Sequence, residues 1–107
     1  AATAELKTKP TQHSVRELMQ IGIQPDILIC RTERPLSEEI KRKIALFCNV
    51  DFGCVVESPD VRSIYEIPLK LHEQGLDKEV CHRLHLETKE PDLRAWAHMV
   101  DKILAPP

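Results

Sequence analysis

The sequence predicts an α/β fold. Specifically, it reads as a helix–strand–helix–strand–helix piece with further helices behind, about two parallel strands and five helices in all. Three observations carry this. Asp26 to Arg31 and Cys54 to Glu57 are short aliphatic runs bounded by turn residues, as suits parallel strands covered on both faces. Helix-spaced apolar residues lie before, between and after these runs. Two strands make a poor sheet by themselves, so the arrangement reads as part of a larger sheet.

In chain order, Lys7 to Ser14 contains no aliphatic residue, and Val15, Leu18 and Met19 then fall at helical spacing. The first helix is therefore expected to start near Val15 and to stop at Gly22-Ile23, with Pro25 beyond. The first strand follows and ends at Arg31. Ser37 is a good N-cap, with Glu38 and Glu39 in the first turn, for a helix that runs to Cys48. On that helix Ile40, Ile44, Phe47 and Cys48 form one stripe; Lys41 and Arg42 are expected to point away, and Lys43 to border it.

Asp51-Phe52-Gly53 is a turn before the second strand, and Ser58-Pro59-Asp60 has the composition of a helix start. Ile64, Tyr65 and Ile67 are expected to pack inward before Pro68 opens a segment that Gly75 ends. Asp77 is expected to cap the helix bearing Val80, Cys81 and Leu84. Pro91-Asp92 should begin the last helix, whose stripe is Leu93, Trp96, Ala97, Val100, Ile103 and Leu104.

At 107 residues the chain is one domain at most. Its 15 basic and 17 acidic residues nearly balance, so no overall field recruits nucleic acid or an acidic membrane, and any anion site must be local. No apolar run has the length of a membrane span and no secretory leader is evident, which points to a soluble, cytoplasmic protein. The 4 cysteines form no CxxC pair and read as reduced, buried small hydrophobes. His82 and His85 share a helix, but no carboxylate or cysteine pattern completes a metal site.

Three places suit phosphate or nucleotide chemistry. Lys7 and Lys9 flank a threonine in a polar segment that leads into a helix, where free N–H groups and the macrodipole add to the lysine charge. In extended chain both lysines face one side and could grip one polyphosphate. The alternative is an ordinary capped helix preceded by solvated lysines. Lys43 could lay its stem on the core and aim its ammonium along the rim, or simply reach solvent. Arg31 and Asp60-Val61 both follow strands, at the carboxyl edge where open α/β sheets bind ligands. Arginine there can pair with phosphate or stack on a base, or merely end a strand in a charged loop.

The stretches KTKPTQHS (Lys7 to Ser14), VRELMQIGIQPDILICR (Val15 to Arg31) and KIALFCNV (Lys43 to Val50) resemble the CTP synthase family. The likeness lies in the later part of the amidoligase (synthetase) domain, covers roughly Glu5 to Leu86, and fades in the last helix. It implies that residues 1–107 are the C-terminal portion of that domain, a fragment of a P-loop-type (Rossmann-like) three-layer parallel sheet, with the phosphate-loop half and the glutaminase domain absent. It also implies a ligase that makes CTP from UTP with ATP and glutamine-derived ammonia, and a piece inactive in isolation. By position, the resemblance assigns Lys7, Thr8, Lys9, Pro10, Thr11, Gln12 and Lys43 to the UTP triphosphate, a site that also takes CTP as inhibitor. Arg31, Pro59, Asp60 and Val61 are assigned to ATP.

The implied cofactors are ATP and magnesium, with no magnesium ligand identified in this chain. The implied partners are UTP, CTP, ATP, the rest of the synthetase domain, the glutaminase domain and the other subunits of a homotetramer. Neither nucleic acid nor membrane is expected. Two other readings stay open: a non-catalytic nucleotide-binding module, and a structural interaction module that uses the last helix as its contact face.

Overall fold

The computed structural model describes the backbone of residues 2–106 and the side chains of residues 8–106. Among the described residues, α1 (Ala2–Gln20), α2 (Glu38–Cys48), α3 (Ile67–Glu73), α4 (Leu76–Arg83) and α5 (Arg94–Leu104) surround a parallel sheet of β1 (Leu28–Thr32) and β2 (Val55–Pro59). This is the expected α/β piece with its small parallel sheet. None of the described helices is long and apolar enough to cross a membrane.

β1 and β2 pair in register from Leu28↔Val55 to Thr32↔Pro59, and α2 is the crossover between them. Ser37 caps α2 by accepting from the Ile40 N–H at 3.2 Å. The helix ends on Asn49 in left-handed conformation at φ 56°. Ile44, Ala45 and Cys48 of α2 meet Val15 of α1 and Val55 of β2, with Leu28, Cys30, Leu36, Ile40 and Val50 packed around them. This cluster is the core on the α1–α2 side; Cys54, Val56 and Val100 are buried as well.

Several expectations change. Phe47 stands outside the buried stripe at 58 % exposed, whereas Ile44 is 2 % exposed. At 100° per residue, Ala45 and Cys48 complete the inward face and Phe47 falls beyond its edge. Lys41 is half-buried like Lys43 and does not point away. β1 is covered on one face only, since Ile29 is 54 % exposed while Leu28 and Cys30 pack on the core.

The largest difference is α1. It does not start near Val15 but takes in the whole polar segment, Pro10 included. Thr8 is buried, Thr11 and Gln12 are half-buried, Val15 is buried and Leu18 is half-buried. That is a helical stripe in which threonines and an amide occupy inward positions, so a search for aliphatic spacing passes over it. The helix ends as expected. Gly22, at φ 89°, donates to Met19 O at 2.9 Å, and Ile23 donates to Leu18 O at 3.2 Å. These are the paired bonds of a Schellman stop.

Further along, Ser58-Pro59 do not open a helix, because they remain on β2 opposite Arg31 and Thr32. The capping box forms later. Ser63 Oγ accepts from the Tyr65 N–H, and Glu66 Oε2 accepts from the Ser63 N–H at 3.0 Å. In the short 3-10 turn that follows, Ile64 and Tyr65 face outward. Tyr65 instead offers its carbonyl to Trp96 Nε1 at 2.7 Å, and the two rings meet edge-on with centroids 6.1 Å apart, which docks α5. Arg62 also donates to Leu104 O at 3.0 Å. The α5 stripe is thus spent within the chain at Val100 and Trp96, while Ile103 stays exposed.

Gly75, at φ 82°, is the N-cap of α4, and Asp77 sits in its first turn. Burial, the largest single influence, raises the Asp77 carboxyl, but the bond to His72 Nδ1 at 2.9 Å, the His72 charge and the backbone N–H groups of Asp77 and Lys78 together hold it below the usual range. All four cysteines are free thiols. Burial pushes Cys30, Cys48 and Cys54 above the ordinary thiol value. Cys48 and Glu57 add to it at Cys30, whereas Arg16 opposes it at Cys48 and Arg83 at Cys54.

Two outcomes follow for the 107-residue chain. Ile44→Val should cost about 0.5–1.5 kcal/mol in urea unfolding, while Phe47→Ala, removing a mostly exposed ring, should cost less than about 0.5 kcal/mol. A larger loss at Phe47 would contradict its outward position on α2. The second outcome concerns alkali. Thiols raised in the folded state keep protons that the unfolded chain releases, so their stabilisation is complete below about pH 8.5 and fades as pH rises through the folded values. The melting temperature should fall above that pH, and Cys48→Ala should flatten the fall. An unchanged slope in that variant would contradict the assignment.

Candidate functional site

A parallel pair joined by one crossover ends both strands at the same edge, and that edge builds the site. Arg31 stands opposite Ser58, and Thr32 stands opposite Pro59. One bond beyond the ladder fastens the chain ends together: the Asp60 N–H donates to Thr32 O at 3.0 Å. Just past this clasp the chain turns into the Ser63 capping box, which fixes where Val61 and Ile64 stand.

The result is a cleft of about 490 Å³ lined by Arg31, Ser58, Pro59, Asp60, Val61, Ile64 and Ile67. All four residues expected at ATP (Arg31, Pro59, Asp60 and Val61) therefore line one cavity, although they come from two strands far apart in sequence. The exposed Ile64, which the sequence suggested was core, is an apolar wall of this cleft. Its sequence signal was ambiguous, since an isoleucine beside a capping serine reads the same whether it faces a core or a ligand. Chemically, the cleft combines a guanidinium, a carboxylate and aliphatic walls, which suits a flat, polar-edged ring. Thr32 Oγ1, buried at the same edge, has no hydrogen-bond partner among the described residues.

A second cleft, of about 330 Å³, lies between α1 and β1 and is lined by Pro10, Thr11, Ser14, Val15, Leu28, Ile29, Cys30 and Arg31. Arg31 thus borders both cavities. Of the residues expected at the UTP triphosphate, Pro10 and Thr11 line this second cleft. Thr8 is buried, Gln12 is half-buried, Lys9 is exposed, and Lys43 is half-buried on α2, which packs against α1. The Lys7 side chain lies outside the described residues. Because the segment is helical, its backbone N–H groups are not those of a helix start, and the extended geometry expected of the two lysines does not apply.

At the opposite, amino end of the strands lies a polar group that the sequence did not bring together. Arg83 bonds Asp51 at 2.8 Å and Asp26 at 3.4 Å, and it donates to Cys54 Sγ at 3.4 Å. These bonds tie α4 to the entries of both strands, so their role is structural. Among the described residues no three His, Cys, Asp or Glu side chains are grouped as a metal ion would need.

Residues 1–86 match the family described as CTP synthase N-terminus. The CTP synthase of Methanocaldococcus jannaschii is 58 % identical over 105 residues, 98 % of this chain and 19 % of that protein. That of Koribacter versatilis is 58 % identical over 106 residues, 99 % of this chain and 19 % of its own length. That of Bacillus velezensis is 55 % identical over 102 residues, 95 % of this chain and 19 % of its own. The family match ends at residue 86, where the resemblance was expected to end, while the alignments with these relatives continue into α5. The chain spans 19 % of the length of each of these relatives, and over that span it belongs to the CTP synthase family.

Proposed function

We propose that residues 1–107 are the C-terminal part of the amidoligase (synthetase) domain of a CTP synthase, supplying contacts to both nucleotides of its reaction. In that reaction the terminal phosphoryl group of ATP passes to O4 of UTP. Ammonia released from glutamine then attacks C4 and expels the phosphate, leaving CTP, ADP and inorganic phosphate. The catalytic residues and the magnesium site belong to the rest of the enzyme. The remainder of the synthetase domain, the glutaminase domain and the other subunits of a cytoplasmic homotetramer are the partners.

The observation that carries this reading is the cleft shared by Arg31, Pro59, Asp60 and Val61. Its role is to hold the adenine of ATP: the Arg31 guanidinium stacks on the ring while Asp60 and the backbone at Val61 meet its polar edge. The pyrimidine nucleotide falls to Lys7, Thr8, Lys9, Pro10, Thr11 and Gln12 of α1 with Lys43 of α2. Support for that half is the packing of α1 on α2, which makes the two lysine-bearing elements neighbours. A purely structural module is less well supported, since the α5 stripe that would serve as its contact face packs on the chain's own Tyr65 turn.

The test is a chimera. These residues replace the matching stretch of the Methanocaldococcus jannaschii enzyme, and CTP formation from UTP, ATP and glutamine is followed. The chimera should be active. Lys43→Ala should raise the KM for UTP and weaken CTP inhibition together, by roughly ten- to a hundredfold, the worth of a charge-assisted bond to phosphate. Arg31→Ala should raise the KM for ATP roughly three- to thirtyfold. Lys78→Ala, on the exposed side of α4, is the control and should change neither. An inactive chimera, or equal effects of Lys43→Ala and Lys78→Ala, would remove the reading.

A further inference from the structure

We infer that Gln74 and Glu57 are positioning residues for the ATP cleft, a proposal that rests on Arg31 and Pro59–Val61 holding that nucleotide. β2 pairs with β1 along one edge, which leaves the other edge of Glu57 in need of partners. Gln74, just past the end of α3, supplies both. Its Oε1 accepts from the Glu57 N–H at 2.7 Å, and its Nε2 donates to Glu57 O at 2.7 Å. The same Nε2 reaches Lys70 O at 3.1 Å, which fixes the amide against its own helix. A primary amide carries a donor and an acceptor in one plane, so Gln74 stands in for one residue of a third strand.

Glu57 passes the constraint on. Its Oε1 accepts from the Leu36 N–H, in the loop that follows Arg31 and just before the Ser37 cap of α2. The relay therefore runs from α3 through β2 to the segment between Arg31 and α2. Both walls of the cleft are tied to it, because Pro59–Val61 follow Glu57 along the chain and Leu36 follows Arg31. Neither Gln74 nor Glu57 lines the cleft itself. They act on bound nucleotide through the backbone that carries its contacts.

The experiment uses the chimeric enzyme. Gln74→Met keeps the size of the side chain and removes both bonds to β2. It should raise the KM for ATP about two- to tenfold, the range for losing bonds of this kind. The KM for UTP, and kcat at saturating ATP, should stay within about twofold of the parent. Glu57→Met should behave likewise, whereas Glu57→Gln, which retains an oxygen for the Leu36 N–H, should restore the parent KM for ATP. Should Gln74→Met yield no folded enzyme, Gln74→Glu, which keeps the acceptor and loses the donor, takes its place with the same expected rise.

A merely structural role would lower the melting temperature and leave the KM for ATP of the folded enzyme unchanged, and that result overturns the proposal. So does an equal rise in both KM values. Arg31→Ala, measured in parallel, separates the two levels. If it leaves the KM for ATP unchanged, the nucleotide reading fails and takes this proposal with it. If it raises that KM while Gln74→Met does not, the positioning role alone is lost.

Discussion

The parallel register of β1 on β2, from Leu28↔Val55 to Thr32↔Pro59, is the constraint from which the remaining structure follows. Parallel strands cannot be joined by a tight turn, so the chain must cross back over one face, and α2 makes that crossing. The apolar stripe of α2 is then buried against Leu28, Cys30 and Val55, and α1 closes over the same side through Val15. Because both strands run the same way, their carboxyl ends finish together. Arg31 and Pro59–Val61 meet there as a geometric consequence of how the core is buried.

Among the described residues β2 pairs with a strand on one edge only, and its main-chain groups on the other edge need partners. The chain deals with them by side chains, and each solution has a structural consequence. Gln74 closes the free edge of β2, Glu57 holds the loop after Arg31, and the Asp60 N–H clasps Thr32 O at the end of the ladder. At the amino end, Arg83 bridges Asp26 and Asp51, so both ends of the pair are tied independently of the core. The carboxyl end is therefore held by hydrogen bonds where its own backbone forms the cleft walls. Outward-facing Ile64 is compatible with that arrangement, since its side chain belongs to the cleft wall.

Much of this was legible in the sequence because the governing signals are local. Short aliphatic runs mark both strands, Ser37 with Glu38 and Glu39 marks the start of α2, and Gly22 with Pro25 marks the end of α1. The grouping of Arg31 with Asp60 and Val61 was legible too, since consecutive strand ends share an edge in any βαβ unit. What escaped were features whose cause is tertiary. The α1 stripe uses Thr8, Thr11 and Gln12, whose polarity hides their inward positions. Phe47 and Ile64 are apolar but outward, which spacing alone does not distinguish from core. Gln74 gave no signal at all, because its value lies in an unpaired strand edge that exists only once the sheet has formed.

The central claim is that the carboxyl edge of this pair holds ATP. Hydrogen exchange of the chimeric enzyme with and without ATP tests it most directly, read by peptide along this segment. The account predicts slower exchange on ATP addition in the peptides that span Arg31 to Leu36 and Asp60 to Glu66. The amino-end peptides around Asp26, Asp51 and Arg83 should stay unchanged. Protection at the amino end, with none at the carboxyl edge, would contradict it.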